Sequence, residues 1–455
     1  MQPQPAGALD LTVDEAIERI GVGRFQWRLL FVNGLVWASD AMEVLIIGFV
    51  LPAITLLWGL SPAQAGLVAA ATFAGMFVGA WGWGAAADRI GRRRVFLLTV
   101  LLDAVFGLAS ALAPNLWFLL VLRFLTGTAI GGTLPVDYAV MAEFLPARAR
   151  GRFLVYLESF WAVGTIVVAL LAWAIIPALP EQGWRWLLAA SALPGVLGYW
   201  LRRGVPESPR YLLVQGREAE ARAVLGHVAR ENGVDLPLGR LSVPPASAER
   251  ASIWSKPLAR RTVLLSLVWF ALALGYYGIF TWLPSIFVRQ GFDFVRSYGY
   301  LVLLALAQLP GYALAAYLVD RVGRRATLAG FLALGAAGTY LFAVTAEPWQ
   351  IVASGMLLSF ALLGAWGALY TLTPELYPTE VRATGMGWAS AMARVAGVVA
   401  PTLGGALLAL SLPLALTVYA VAFLVGAAGA LLIREEPRGR RLADTLTADR
   451  AATAD

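Results

Sequence analysis

The feature that most constrains this chain is a series of long apolar runs separated by short charged loops. A helix needs about 20 apolar residues to cross ~30 Å of hydrocarbon, and a backbone in that medium must satisfy its hydrogen bonds internally. Twelve such runs can be drawn: residues 27–50, 65–87, 93–113, 116–140, 152–176 and 184–203, then 260–288, 297–319, 326–346, 348–372, 384–409 and 411–434. The chain is 59% hydrophobic and only 14% charged, whereas a soluble domain carries about 25% charged residues. The predicted fold class is an all-α polytopic membrane protein with twelve transmembrane helices.

The runs divide the chain into an N-terminal segment (1–26), a first six-helix set (27–204), a polar central stretch (205–257), a second six-helix set (258–434) and a polar tail (435–455). Pro206 and Pro209 are expected to end the sixth span and start a surface helix running to about Glu231. The tail is expected to be mobile. Arginines gather on one side: Arg19, Arg24 and Arg28, then Arg89 and Arg92–Arg94, Arg148, Arg150 and Arg152, Arg202 and Arg203, Arg260 and Arg261, Arg321, Arg324 and Arg325, and Arg382. By the positive-inside bias, both termini and the central stretch are expected in the cytoplasm. The polar residues 1–23 lack the layout of a cleaved signal, so the first span is expected to serve as the anchor.

Several function classes drop out. The net charge of +7 does not indicate nucleic acid, because the arginines lie in short loops between spans and not on a continuous soluble face. The chain has no cysteine and one histidine, His227 in the central stretch, so no thiolate metal site, nucleophilic thiol or triad is readable. Gly75-x-x-x-Gly79 and Gly127-x-x-x-Gly131 follow no strand and precede no Lys-Ser/Thr pair, so they read as helix–helix contacts and not as a phosphate loop. No enzyme chemistry, cofactor or metal is expected.

A repeat orders the two sets of spans. Asp88, Gly91, Arg92 and Arg93 recur 232 residues later as Asp320, Gly323, Arg324 and Arg325. Glu143-x-x-Pro146-x-x-x-Arg150 recurs at the same offset as Glu375-x-x-Pro378-x-x-x-Arg382. Two separated motifs at one offset, on one side of the membrane, predict parallel halves related by an axis along the membrane normal, with a cavity between them.

The acid–arginine loops after the second and eighth spans resemble the signature of the major facilitator superfamily. The Glu-x-x-Pro-x-x-x-Arg segments and Pro206-Glu207-Ser208-Pro209-Arg210 resemble its sugar-porter-type branch. Trp37-Ala-Ser-Asp40-Ala-Met-Glu43, Phe160-Trp161-Ala-Val-Gly164 and Gly183-Trp184-Arg185-Trp186 are similar to the synaptic vesicle glycoprotein 2 group and its relatives. Animal members carry a large insert between spans 7 and 8, where this chain has only Arg289–Ser297. It is most similar to the bacterial relatives, among which niacin (nicotinate) transporters are the best-known function. The resemblance implies alternating access in a bacterial inner membrane, by a protein functional as a monomer. It also implies that Trp161 and Trp366 flank the ligand, and Tyr370 stands where some animal members have an acid.

Read by themselves, Asp40 and Glu43 lie one helical turn apart on span 1. Charge at mid-membrane is costly, so the pair should face a wet cavity or a cation, as a proton-coupling or solute-binding site or as a structural pair bonded to other helices. Arg123 is a partner for Asp40, Glu43 or Glu158, or a solute contact. Asp137 reads as structural, and Asp103 has no discriminating context. Trp161 and Trp366, from opposite halves, are placed to stack on a flat ring. Tyr277, with Gly275 and Gly278 beside it, Tyr370, Gln308, Tyr312 and Arg394 are further candidates to hold a solute. Gly84, Asp88, Arg89, Gly91, Arg92, Glu143 and Arg150, with Asp320, Arg321, Gly323, Arg324, Glu375 and Arg382, are expected to gate by latching one half to the other. The expected function is proton-coupled uptake of a small aromatic monocarboxylate such as nicotinate. An organic cation, a zwitterion, a sugar, or a non-transporting receptor of the same fold are the alternatives.

Overall fold

The computed structural model describes residues 9–242, 252–345 and 347–437. Each predicted run falls on a helix. The first half contains span 1 (Arg24–Trp58), span 2 (Pro62–Ile90), span 3 (Arg92–Ser110), span 4 (Leu116–Glu143), span 5 (Ala147–Ile175) and span 6 (Gly183–Arg202). The second contains span 7 (Lys256–Arg289), span 8 (Phe294–Leu306 and Gln308–Arg321), span 9 (Arg324–Val344), span 10 (Pro348–Glu375), span 11 (Thr379–Leu410) and span 12 (Leu412–Leu432). Spans 3 and 6 are not among the helices apolar enough to cross a membrane by composition alone. Span 3 opens on three arginines and carries Asp103, and span 6 carries Arg185 and Arg202. Both nevertheless pack inside the first half, span 3 against spans 4 and 6.

Local signals explain the boundaries. Ser61 caps span 2 through the backbone N–H of Gln64, whose side chain bonds back to Ser61, and Pro62 occupies the first turn. The repeated loop glycines Gly91 and Gly323 have φ of +101° and +113°, a conformation that side chains rarely adopt. Each turn is fastened alike. Glu207, after span 6, accepts the backbone N–H of Arg93, and Glu436, after span 12, accepts those of Arg324 and Arg325. Span 8 departs from the single predicted run by breaking at Ala307. Pro310 has no N–H to bond the carbonyl of Leu306, and its ring crowds that turn.

The halves meet through spans 2 and 11, 5 and 8, 1 and 7, and 5 and 10. The 232-residue offset carries span 2 onto span 8 and span 5 onto span 11, so the first two contacts are one contact seen twice. Away from the arginine-rich face the fit is close. A Cβ added at Gly48 would lie 2.9 Å from the Thr281 carbonyl oxygen, and one at Gly66 would lie 2.7 Å from that of Pro401. Tyr298 donates to the Phe49 carbonyl at 2.6 Å.

The addition to the all-helical expectation is a small parallel pair, Leu9–Thr12 with Leu238–Ser242, on the arginine-rich face. It is held with the helices Val13–Ile20 and Glu218–Glu231 against the foot of span 1, where Arg28 meets Glu231 at 2.8 Å and Asn232 accepts the N–H of Phe25. The predicted surface helix is in fact two, Pro209–Val214 and Glu218–Glu231, separated by a turn at Gly216. The tail from Arg438 onward, expected to be mobile, lies outside the described residues.

Candidate functional site

Midway along the halves' interface, spans 5, 7, 8 and 10 line a narrow cavity. Span 5 contributes Glu158 and Trp161, span 7 Tyr276 and Tyr277, span 8 Tyr312, and span 10 Leu363, Trp366 and Tyr370. The pairs 158/161 and 366/370 have the three- and four-residue spacing that puts side chains on one helix face. Trp161 donates its indole N–H to the Tyr276 hydroxyl at 3.2 Å. Trp366 is wedged among rings, with centroids 5.5 Å from Trp269, 5.9 Å from Tyr370 and 6.1 Å from Tyr276. Trp269 is itself fixed by its N–H bond to the Thr373 hydroxyl at 2.9 Å. The two candidate tryptophans thus line one space from opposite halves, ready-positioned by second partners.

The polar groups are few. Glu158 accepts a hydrogen bond from the Tyr138 hydroxyl, and Tyr138 stacks across the interface on Tyr370 at 6.1 Å and 15°. Arg394, on span 11, does not line the cavity; it is 8% exposed and donates to the carbonyl and hydroxyl of Ser390 on its own helix. Its Nε has no partner among the described residues, and its charge acts on Tyr370 and Tyr277. Gln308 does not reach this cavity. It lines a second one, one turn away, described below.

Asp40 and Glu43 are placed elsewhere. Span 1 turns Gly34, Ala38, Leu45 and Phe49 towards spans 5 and 7 and the interface, and turns Val36 and Glu43 towards spans 3, 4 and 6. Glu43 pairs with Arg123 at 2.9 Å and accepts from Ser191 at 2.7 Å, with both charged side chains buried. Asp40, Asp103 and Asp137 are buried in the same half, where Arg202 bonds Asn33 and stacks over Phe96 at 4.0 Å. Of the two expected environments, a wet cavity or a cation, Glu43 takes the second. The acid lining the interface cavity is Glu158. Its signal in the sequence was its position three residues before Trp161, whereas nothing there singled out Tyr138.

The gating residues bond within their own halves among the described contacts. Arg92 meets Glu143 at 3.6 Å, Arg324 meets Glu375 at 2.9 Å and Asp320 at 3.4 Å, and Arg321 lies over Tyr317 at 5.4 Å. Arg150 donates to the Leu145 carbonyl, Arg382 to those of Pro374 and Tyr377, and the Arg89 carbonyl accepts from Tyr211. Gly84 has open space where a Cβ would be. The Asp88 side chain lies outside the described residues. The contacts described for the expected latch residues thus lie within each half. They tie the ends of spans 3 to 5, and of 8 to 11, within each half, and tie the end of span 2 to Tyr211 of the central stretch, because short loops bring each arginine to a carboxylate or a helix end of its own half.

The family described as sugar (and other) transporter matches residues 23–434. The niacin transporter NiaP of Acinetobacter baylyi is 44% identical over 388 residues, covering 85% of this chain and 88% of its own length. A synaptic vesicle 2-related protein of Xenopus laevis is 34% identical over 462 residues, covering 95% of this chain and 82% of its own. Among solved structures, the inward-open xylose transporter XylE from E. coli superimposes with a TM-score of 0.75 over 94% of this chain and 99% of its own, at 18% identity.

Proposed function

The chain belongs to the sugar (and other) transporter family of the major facilitator superfamily, and within it we propose proton-coupled uptake of niacin, an aromatic monocarboxylate, by alternating access. The observation that carries this reading is the interface cavity, with Trp161 from one half and Trp366 from the other. The 44% identity to a protein named as a niacin transporter supports it. The space between the two tryptophans is narrow and walled by aromatic rings, a shape that selects a small flat solute over a bulky one. Stacking on each tryptophan contributes about 0.5–1.5 kcal/mol beyond area burial. The hydroxyls of Tyr277 and Tyr370 hold the carboxyl, with the charge of Arg394 acting from behind these two tyrosines.

Glu158 gives this arrangement its coupling. A carboxylate solute and a carboxylate side chain in one low-dielectric cavity repel, so occupancy requires that one of them carry a proton. A second proton-sensitive point is the Glu43–Arg123 pair, with Asp40 beside it. Protonation of Glu43 removes the charge that holds Arg123 and frees spans 1 and 4 to shift. The arginine-rich face is cytoplasmic and the membrane is a bacterial inner membrane. The protein works as a monomer, because each chain carries its own cavity.

The test is uptake of labelled niacin, xylose and choline into proteoliposomes, with and without an inward proton gradient. Gradient-stimulated niacin uptake is expected, with Trp161→Ala and Trp366→Ala each weakening affinity by about tenfold, which is 1.4 kcal/mol. Stimulated choline uptake alone favours the organic-cation reading, to which Glu158 in an aromatic cavity lends support. Xylose uptake alone indicates a sugar porter, and binding without any uptake indicates a receptor.

A further inference from the structure

A second, narrow cavity lies beyond the first on the side away from the arginine-rich face. Three helices serve both cavities at four-residue spacing. Span 5 places Trp161 in one and Thr165 in the other, span 7 places Tyr276 and Phe280, and span 8 places Tyr312 and Gln308. One helical turn is 5.4 Å, so the cavities are successive stations on one path between the halves. The walls of the second are apolar, with Phe49 and Phe280 as its rings. None of its lining residues ionises. The titratable groups on the helices that line it include Asp40 and Glu43 of span 1, which turn into the first half, Tyr298, bonded to the Phe49 carbonyl, Tyr300, and on the central side Glu158, Tyr276, Tyr277 and Tyr312.

Into this apolar space points Gln308. It is fully buried, and among the described residues neither its Oε1 nor its Nε2 has a hydrogen-bond partner. Buried amides are almost always paired, and an unpaired one is costly. The break at Ala307 fixes its place at the start of the second helical segment. Beside it the Thr165 hydroxyl spends its proton on the Trp161 carbonyl at 2.9 Å, which leaves its oxygen free only to accept.

The chemistry of a primary amide decides what fits. It offers one acceptor and one donor side by side in a plane. A neutral carboxylic acid or a primary carboxamide presents the complementary donor and acceptor, and closes a two-bond ring with it. A carboxylate anion presents acceptors only, and sets its charge against Oε1 in an apolar surround that cannot solvate it. We propose that this cavity is a second solute site, outside the central one, and that Gln308 admits the solute as a neutral aromatic carboxylic acid or primary carboxamide. The inference rests on the niacin reading of the central cavity. The proton then enters bound to the solute's own carboxyl oxygen, taken from the outer water, and leaves with it.

The test uses the full-length protein in detergent, with labelled nicotinamide and nicotinate in equilibrium binding, for the wild type, Gln308→Leu, Gln308→Glu and Trp161→Ala. Two nicotinamide sites are expected in the wild type. Gln308→Leu should lose one, while the Trp161-dependent site keeps its affinity within about twofold, which also reports that the variant is folded. Outer-site binding of nicotinate should fall about tenfold for each pH unit above the acid's own pKa, as expected for a neutral ligand, while nicotinamide stays level. Gln308→Glu at neutral pH should abolish the nicotinate site and weaken the nicotinamide site. A single Trp161-dependent site indifferent to Gln308, or outer nicotinate binding that is flat with pH, overturns the outer site and leaves the niacin reading standing. No binding of either compound to the wild type overturns both.

Discussion

The two halves of this transporter share a scaffold and differ in what fills it. Positions 232 residues beyond Asp40, Glu43, Asp103, Arg123 and Asp137 are Leu272, Gly275, Gly335, Gly355 and Leu369. The first half buries a network of charges, and the second closes the same places with small and apolar residues. Phe423 fills the space left by Gly275, where an added Cβ would lie 2.2 Å from its ring, and Leu362 does the same at Gly335. Spans 2 and 4 differ from their counterparts too. Gly75, Gly79, Gly127 and Gly131 bring those two backbones into contact, whereas at the equivalent positions of spans 8 and 10 only Gly311 does so, against the Phe360 carbonyl, and Ala307, Ser359 and Leu363 replace the other three. The broken helix belongs to the looser pair. The central cavity inherits both characters: six of its eight lining residues come from the second half, and its one carboxylate, Glu158, comes from the first. Duplication preserved helix length and loop geometry, while charge and cavity walls diverged.

The sharpest way to break this comparison is at the glycines of spans 2 and 4. A Cβ at Gly75 would lie 2.0 Å from the Phe124 carbonyl oxygen, and one at Gly127 would lie 2.0 Å from that of Thr72. Backbone cannot yield as a side-chain tip does, and small residues are what permit such an approach in a membrane. Gly75→Leu or Gly127→Leu should therefore abolish the monodisperse folded species in size-exclusion chromatography. At Gly355, by contrast, the nearest atom is the Leu304 Cδ2 tip at 3.1 Å, and Gly355→Ala should leave the elution profile and melting temperature nearly unchanged. Equal damage at both places would remove the asymmetry.

Next in size is Arg123→Leu. Removing one partner of a buried ion pair leaves an uncompensated charge and costs about 3–5 kcal/mol, whereas replacing both with apolar residues is much milder. Unfolding in detergent should show a large loss for Arg123→Leu, and a clear recovery in the double variant with Glu43→Leu. A double variant no better than the single one would place the role of Arg123 with the other acids of the first half. A gentler change sharpens the functional side. Glu43→Gln keeps the shape and the bond from Ser191 but carries no charge. If the pair senses protons, stimulation of niacin uptake by the gradient should weaken while exchange at equal pH persists.

Much of this architecture was legible in the chain. Twelve apolar runs give twelve spans because the hydrocarbon fixes helix length, and the offset between Asp88 and Asp320 predicts parallel halves because the loop chemistry at Gly91 and Gly323 demands the same turn. What was not legible was direction. The three-residue spacing of Asp40 and Glu43 says that they share a face, but not that the face meets spans 3, 4 and 6 and not the cavity, which depends on packing by residues such as Val36 against Gly198. The same holds for Glu143 and Arg324. Their charges announce a contact, but only the fold shows that the partners belong to one half.

The smallest expected effect concerns the clasp that only the first half carries among the described residues. There the Glu218 carboxylate accepts the backbone N–H of Leu241 at 2.9 Å and a bond from Arg222 at 2.8 Å, tying the strand Leu238–Ser242 to its helix. The Leu241 N–H first, and Arg222 after it, hold the Glu218 carboxyl below the usual carboxylate range. A carboxyl with a lowered folded-state pKa stabilises fully above its unfolded value, about 4.3, and loses that contribution as pH falls through the lowered one. Hydrogen exchange at Leu241, compared with Glu218→Gln at each pH between about 3 and 6, should therefore show extra protection at the upper end that disappears at the lower. The group is largely exposed, so the difference should be small and should leave transport untouched. A wild type no more protected than the variant at the upper end would show that the strand pair holds without this carboxylate, and would leave the ion pair of Arg28 with Glu231 as the tie between clasp and span 1.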